Sequence, residues 1–225
     1  FQQHTRVTEE YVRQLQSREA VAPLHIPPVI RELNQLKTLF PDVPVIAASD
    51  SAFHSEMPKR AREFSIPAED GEAHDIYRFG YHGLSVASVV RRVPSLLGHE
   101  PERLIVCHIG SGTSVTAVKN GQSIETTMGF TPASGVPMGS RAGDLSADAL
   151  LGLMRAKGFQ PRDAEFYLNT NGGLVGLAGE SDIRLLLDRR AKNDPAAEVA
   201  LDIFAYRIQQ AVAAQTVALG GMDVL

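Results

Sequence analysis

The sequence lacks tryptophan altogether and has a single cysteine, Cys107, among 225 residues. One cysteine cannot form an internal disulfide, and its position in the apolar run 104–107 favours a buried thiol in a reducing compartment. No apolar run approaches the roughly 20 residues of a membrane span, and the first residues lack the apolar stretch of a signal peptide. We therefore expect a cytoplasmic protein with no membrane partner.

An excess of positive charge is also missing, since the formal net charge is -4. Nucleic acid is excluded as a main partner, because binding it requires a basic surface that displaces counterions. With 44% apolar and 21% charged residues, the composition is that of an ordinary globular protein with one large domain or two modest ones. The ligand is expected to be small.

The apolar periodicity predicts a β-meander preceded and followed by helices. Helices are expected at 8–17, from 27, from about 84, and at about 147–156, 162–169, 183–192 and 195–219, with strands at 43–48, 104–107, 114–118 and 122–127. Asn120-Gly121 favours a type I′ turn between the last two strands, and Pro94 is expected to kink or end its helix. The apolar loop 129–144 is rich in glycine and proline, which indicates a packed, functional segment.

Both ends of the chain suggest a cut. The sequence opens at Phe1 without an initiator methionine and closes just after a paired-glycine helix cap, Gly220-Gly221. The apolar Val224-Leu225 that follows is expected to be a strand entering a sheet. We therefore expect both ends of a longer protein to be missing.

One glycine turn is a candidate phosphate site, because backbone N–H groups in such turns approach anions closely. The turn is Gly110-Ser111-Gly112. It is not a Walker loop, since no GxxxxGK[ST] occurs, and it is not a dinucleotide fingerprint, since a strand rather than a helix follows it. Taken alone, it is better explained as a tight hairpin.

Further candidates lie at strand ends or in glycine-flanked turns, namely Asp50, His82, His108 and Arg141. Arg141 lies among small residues and could fork onto phosphate oxygens, although a plain surface arginine is the alternative. His82 precedes a helix N-terminus, where an anion is favoured, but a capping or core histidine is as common. His25, in a proline-rich turn, is equally open to a structural or a functional interpretation. The remaining histidines are predicted to be solvated: His4, His54, His74 and His99.

Several motifs, in this order, closely resemble those of one family, the acetate kinases. They are Asp50-Ser51-Ala52-Phe53-His54, Arg78-Phe79-Gly80-Tyr81-His82-Gly83, His108-Ile109-Gly110-Ser111-Gly112-Thr113-Ser114, Met128-Gly129-Phe130-Thr131-Pro132 and Pro137-Met138-Gly139-Ser140-Arg141-Ala142-Gly143-Asp144. The resemblance implies an α/β fold of the actin-like ATPase (ribonuclease H-like) superfold, with two related domains whose mixed sheets are flanked by helices. Residues 1–50 would end the first domain and residues 51–225 would begin the second.

The resemblance also implies a function: Mg²⁺-dependent, reversible, in-line phosphoryl transfer between ATP and acetate, giving acetyl phosphate and ADP. Arg141 and His82 would stabilise the phosphoryl group in one cleft with the glycine turn, and Asp50 would orient catalytic groups or help hold the Mg²⁺ complex. His25 would contact acetate, and a homodimer formed through the second domain is implied. No residue is assigned as a metal ligand. The nucleotide would be held by two segments: His108, Ile109, Gly110, Ser111 and Gly112 for its phosphates, and Asp182, Ile183 and Arg184 for its adenosine.

Two departures from the family leave alternatives open. Ser111 stands where the family usually has asparagine, and its shorter hydroxyl loses the second donor of the amide, so the phosphoryl donor could differ from ATP. Pro94 lies inside a helix that is normally continuous. Propionate or another short carboxylate could replace acetate, because a methylene changes binding by only about 1–3 kcal/mol. A non-catalytic nucleotide-binding fragment is the alternative outside enzymes.

Overall fold

The computed structural model describes residues 2–19 and 26–225. Within these residues the secondary structure follows the predicted order, with short elements near the N-terminus, then a meander, then helices. The strands are β1 (Thr5–Arg6), β2 (Ile46–Ala47), β3 (Arg103–Ile109), β4 (Thr113–Lys119) and β5 (Gln122–Thr126). The helices are α1 (Glu9–Ser17), α2 (Ile26–Leu39), α3 (Lys59–Arg62), α4 (Ala68–Ala73), α5 (Gly83–Leu97), α6 (Ala147–Lys157), α7 (Pro161–Thr170), α8 (Gly173–Ala178), α9 (Ile183–Ala191) and α10 (Pro195–Leu219), with a 3₁₀ turn at Ala52–His54.

The predicted meander is confirmed as an antiparallel sheet in the order β3-β4-β5. Asn120 and Gly121 both have positive φ, 49° and 79°, as the two central residues of a type I′ turn require. Val224 forms a parallel bridge to Leu104 at the free edge of β3, which agrees with the expectation of a strand entering the sheet.

The sheet lies between two long helices, because its strands are apolar on both faces. Leu104 and Val106 point towards α5, where they pack with Val86. Ile105 points the other way and packs with Leu219 of α10. This alternation is the two-residue period of a strand. A second apolar cluster joins α8 and α9 to α10, and its buried members are Leu174, Leu186, Ala197, Ala200, Leu201 and Phe204.

Some local predictions were wrong. Helix α5 does not end at Pro94 but continues to Leu97, because the helix tolerates the loss of the single hydrogen bond that a proline removes; a kink at Pro94 stays a prediction. The run 43–48 contributes only the two-residue strand β2, and Ile46 is 60% exposed. Cys107 is only partly buried, and that burial raises the pKa of its thiol. Helix α8 was not predicted.

The N-terminal part of the chain is linked to the rest by polar contacts. Arg62 donates a hydrogen bond to Gln2 Oε1 at 2.8 Å, and Arg18 forms an ion pair with Asp75 at 3.0 Å. A domain boundary at residue 50 stays a prediction. Within residues 2–19 and 26–225, no helix has both the length and the apolar character that crossing a membrane requires.

Candidate functional site

The site begins with a sharp bend just ahead of α5, and Asp50 holds this bend. One carboxylate oxygen of Asp50 accepts a hydrogen bond from the His82 backbone N–H at 2.7 Å. The other lies 3.4 Å from the Leu84 N–H, and the Asp50 carbonyl accepts from the Gly83 N–H at 2.8 Å. His82 is in the left-handed conformation, with φ 61°. Asp50 therefore satisfies amides that the first turn of the helix leaves free, and it fixes the backbone that carries His82.

Two imidazoles, those of His82 and His108, stack in this site. Their ring centroids are 4.0 Å apart with an interplanar angle of 29°. The Nδ1 atom of His82 lies 3.0 Å from Ser114 Oγ, and that of His108 lies 2.9 Å from Ser85 Oγ. Each ring is therefore anchored on its Nδ1 side, which leaves Nε2 to face elsewhere.

The Nε2 atoms face the glycine bend, residues 110–112, which is closed by a hydrogen bond from the Gly110 N–H to the Gly112 carbonyl at 3.0 Å. A methyl carbon built on Gly112 would lie 3.0 Å from His82 Nε2 and 3.4 Å from an Arg141 guanidinium nitrogen. The absence of a side chain at Gly112 thus lets an imidazole and a guanidinium meet there, around a space too narrow for a methyl group unless a neighbour shifts. Arg141, His82 and the bend therefore lie close together, and their role in a common binding site stays a prediction.

Arg141 is positioned by the loop 129–144. Its guanidinium donates to the Pro132 carbonyl at 3.0 Å and contacts the Met138 sulfur at 3.6 Å. Met138 is fully buried, so the loop is packed as the sequence predicted. Partial burial lowers the pKa of the Arg141 guanidinium, but an arginine side chain stays charged at neutral pH.

Helix α8, which was not predicted, holds this loop in place through backbone hydrogen bonds. The N–H groups of Leu174 and Val175 donate to the Met138 and Gly139 carbonyls, each at 2.9 Å. The Gly172 N–H donates to the Ser140 carbonyl at 2.9 Å. Backbone groups at the start of α8 therefore hold the turn that presents Arg141. The Gly172-Gly173 pair was the sequence signal for this close approach.

Burial and charge keep His82 neutral. Desolvation is the main cause that lowers its pKa, to about 4, and the nearby His108 and Arg141 act in the same direction. The Asp50 carboxylate opposes them. A neutral imidazole carries one proton on one nitrogen, so His82 can present a hydrogen-bond donor without a charge.

The segment predicted to contact adenosine lies beside the glycine bend. The Gly139 N–H donates to the Ser111 carbonyl at 3.4 Å, and a methyl carbon on Gly139 would lie 3.4 Å from Ser181 Cβ. Asp182 caps α9 and pairs with the Arg184 guanidinium at 2.6 Å. That guanidinium is the main cause that lowers the Asp182 pKa to about 2. The Asp182 carboxylate is therefore already occupied, and Ile183 is the first residue of the helix.

The predictions for two further histidines have different outcomes. His54, predicted to be solvated, is fully buried: its Nδ1 lies 2.8 Å from Ser123 Oγ and its Nε2 3.0 Å from the Tyr81 carbonyl. The prediction was wrong because polar sequence neighbours do not reveal a tertiary hydrogen-bonding pocket. His25, predicted to contact the substrate, lies outside the described residues.

The carboxylates of the described residues do not form a metal site by themselves. Across residues 2–19 and 26–225, no three His, Cys, Asp or Glu side chains gather into a group that could hold an ion. Asp50, the carboxylate at the site, is engaged by backbone N–H groups. The described residues therefore do not by themselves fit a Mg²⁺ cage.

Comparisons with known proteins identify relatives of the whole chain. The model of the acetokinase family matches residues 1–225. The acetate kinase of Streptomyces griseus is 38% identical over 227 residues, which cover 100% of this chain and 55% of the relative. The acetate kinase of Thermosipho africanus is 37% identical and is covered to 55% by 97% of this chain. The chain thus spans about half the length of these curated relatives.

Solved structures agree. The acetate kinase of Porphyromonas gingivalis superposes with a TM-score of 0.90 at 31% identity, over all of this chain and 57% of that one. A propionate kinase from Francisella tularensis gives a TM-score of 0.94 at 32% identity, over all of this chain and 59% of that one. These likenesses confirm the predicted α/β fold of the actin-like ATPase class.

Proposed function

The chain belongs to the acetokinase family, and we propose that it supplies the phosphoryl-transfer site of an acetate kinase. The proposed reaction moves a phosphoryl group reversibly between ATP and acetate, giving acetyl phosphate and ADP. The observation that carries the proposal is the meeting of His82 Nε2 and the Arg141 guanidinium beside Gly112 of the glycine bend. That arrangement suits a phosphoryl group in transfer.

The chemistry needs alignment and charge stabilisation more than it needs a base. Acetate is already ionised at neutral pH, so the attacking oxygen requires no proton removal. A loose, in-line transition state places negative charge on the equatorial oxygens of the phosphoryl group, which preorganised donors stabilise. Arg141 would supply a charged, forked donor and His82 a neutral one. Asp50 would act through the backbone, by fixing the bend that carries His82.

The nucleotide would lie along the glycine bend, with its phosphates against His108, Ile109, Gly110, Ser111 and Gly112. Its adenosine would lie towards Asp182, Ile183 and Arg184, which follow Ser181, a neighbour of Gly139 beside the bend. Ser111 can donate a single hydrogen bond, so the phosphoryl donor is the least constrained part of the proposal. Magnesium is proposed only as part of the nucleotide complex, where phosphates and water supply most ligands, and no step is assigned to it.

Other parts of the proposal rest on the family. The protein would act in the cytoplasm and form a homodimer. Propionate is a second candidate substrate, because the Francisella tularensis protein with the similar fold is a propionate kinase.

The decisive experiment measures acyl hydroxamate formation from ATP, Mg²⁺, hydroxylamine and either acetate or propionate. It should be run on the chain alone and on a chimera in which the chain replaces the matching 55% of the Streptomyces griseus acetate kinase. Turnover in either form supports the proposal, and the ratio of kcat/KM values assigns the acid. In parallel, ATP should shift the backbone amide resonances of Gly110 and Gly112 in the isolated chain. ATP binding without turnover in a folded chimera would favour a non-catalytic nucleotide-binding role. The absence of both turnover and ATP binding would refute the proposal.

A further inference from the structure

We propose that Ser114 and Ser85 are positioning residues that hold His82 and His108 as Nε2–H tautomers, with both donors aimed at the glycine bend. The inference deepens the proposed function and rests on it, because it assigns how the phosphate-facing donors are oriented. Neither serine touches the space at Gly112, so each would act through its histidine.

Hydrogen-bond satisfaction determines the role of Ser114. Ser114 is fully buried, and its hydroxyl lies 3.0 Å from His82 Nδ1. In the part of the chain that the structure describes, this hydroxyl has no other hydrogen-bond partner. A buried hydroxyl proton needs an acceptor, and only Nδ1 is available to accept it. Nδ1 must then be unprotonated, which places the single proton of the neutral ring on Nε2.

Ser85, which is only partly buried, makes the same kind of contact from α5. Its hydroxyl lies 2.9 Å from His108 Nδ1, and within the described ranges it too has no second partner. A methyl carbon on Gly110 would lie 3.6 Å from His108 Nε2, just as one on Gly112 would lie 3.0 Å from His82 Nε2. The two rings therefore turn the same nitrogen towards consecutive glycines of one bend.

Fixing the tautomer has a chemical consequence. An Nε2 lone pair would repel a phosphoryl oxygen, whereas an Nε2–H donates to it. A neutral His82 also avoids the repulsion that an imidazolium would suffer beside the Arg141 guanidinium. Donors that are already oriented need no reorganisation when charge develops on the phosphoryl group. The serines would thus supply preorganisation rather than contact with substrate.

The direct test is ¹⁵N NMR of the imidazoles in the isolated chain at pH 7.5, with resonances assigned through His82→Gln and His108→Gln. We expect Nε2 of both residues to be protonated, Nδ1 of both to be hydrogen-bonded acceptors, and inorganic phosphate to shift both Nε2 resonances. A protonated Nδ1 in His82 would overturn the inference outright. This readout requires no mutation of the serines, so it stands even if a serine variant misfolds.

Variants add a functional readout. Ser114→Ala should move the His82 Nδ1 resonance to that of a nitrogen without a hydrogen bond and lower phosphate affinity and kcat about tenfold, the equivalent of one lost hydrogen bond. Ser114→Thr keeps the hydroxyl and should restore both. Unchanged His82 resonances and kcat in a folded Ser114→Ala protein would contradict the proposal.

Ser123→Ala is the matched control, because Ser123 is also a buried serine on an imidazole Nδ1, at 2.8 Å from that of His54. Ser123→Ala should lower the free energy of unfolding about as much as Ser114→Ala does, while leaving the His82 resonances and the phosphate affinity unchanged. The outcomes also separate this inference from the proposed function. Correct tautomers with phosphate binding but no turnover in the chimera would refute the kinase and keep the positioning role, whereas turnover with a protonated His82 Nδ1 would do the reverse.

Discussion

His54 and His82 lie in two neighbouring regions of the molecule. Each region pairs a histidine with a serine, but the two pairs differ in function. In both, a buried serine hydroxyl contacts Nδ1 of the imidazole, and in both, burial is the main cause of a lowered pKa. The second nitrogen differs: in His54 it contacts the Tyr81 carbonyl at 3.0 Å, whereas in His82 it borders the space at Gly112. A buried histidine is therefore structural when both nitrogens are satisfied by the protein, and ligand-facing when one is left open.

The largest effect should come from the region around His82, where one imidazole nitrogen is left open, when the charge of Arg141 is removed. Arg141→Ala should lower turnover by about 10³-fold, because a guanidinium that stabilises a transferring phosphoryl group has an effect of that order. Arg141→Lys keeps the charge but not the fork and should recover only part of the loss. The measurement is hydroxamate formation, with unfolding in urea as the control for stability. Equal turnover in Arg141→Ala and the parent would remove Arg141 from the mechanism.

The next effect tests which nitrogen of His82 matters. His82→Asn keeps a polar atom near Ser114 but removes the group at Nε2, so turnover should fall by roughly 10²–10³-fold, as for one lost transition-state donor. His82→Gln can place an amide N–H near the Nε2 position and should lose less. If the two variants had equal kcat values, the distinction between the nitrogens would not hold.

In the region around His54, where the protein satisfies both imidazole nitrogens, removing the histidine should affect stability instead of turnover. His54→Ala leaves a cavity in a fully buried site and leaves the Ser123 hydroxyl without its partner, so the free energy of unfolding should fall by roughly 2–4 kcal/mol. Urea denaturation measures this loss. Per folded molecule, phosphate affinity should change little. A stability equal to that of the parent would show that His54 is not the structural counterpart of His82.

A pair of glycines sharpens the comparison with smaller effects. Gly112→Ala adds a methyl group 3.0 Å from His82 Nε2, and this crowding should weaken phosphate binding about tenfold with little change in stability. Gly80→Ala adds one 2.5 Å from His54 Cγ at a φ of 74°, so it should destabilise the fold by about 1–3 kcal/mol. Titration calorimetry and urea denaturation report the two quantities. If Gly112→Ala lowered stability and Gly80→Ala weakened phosphate binding, the assignment of His82 as ligand-facing and His54 as structural would be wrong.

The smallest effect is a dependence of stability on pH that appears only at acid pH. Both histidines have a folded-state pKa below the ordinary 6.5, that of His82 being about 4, so between these values the unfolded chain binds more protons than the folded one. The free energy of unfolding should therefore fall as pH is lowered from 6.5 towards 4, and these groups should contribute no change above 7. Urea midpoints at pH 7 and 5 should lie closer together in His54→Gln and His82→Gln than in the parent. Unchanged spacing in both variants would contradict the lowered pKa values.

Predictions from the sequence succeeded where local rules apply. The Asn120-Gly121 turn, the three strands around it and the helix from Pro195 follow from turn chemistry and periodicity. The predictions that the helix ends at Pro94 and that His54 is solvated were wrong, because the end of a helix and the surroundings of a polar side chain depend on the packed structure. Ser114 and Ser85 were missed for the same reason: a serine in a strand or a helix has no pattern that reveals an imidazole 23 or 32 positions away.

By itself the sequence determined the α/β class, the meander, the acetokinase family and the candidates Asp50, His82 and Arg141, because turns, periods and motifs are properties of neighbouring residues. Only the tertiary structure decided that the protein satisfies both nitrogens of His54 and leaves Nε2 of His82 without a partner among the described residues, since hydrogen-bond satisfaction depends on groups distant in the chain. It also showed that Asp50 acts on the backbone and that helix α8 holds the loop of Arg141. Those contacts join separate elements, and side-chain geometry across elements is fixed only when the chain packs.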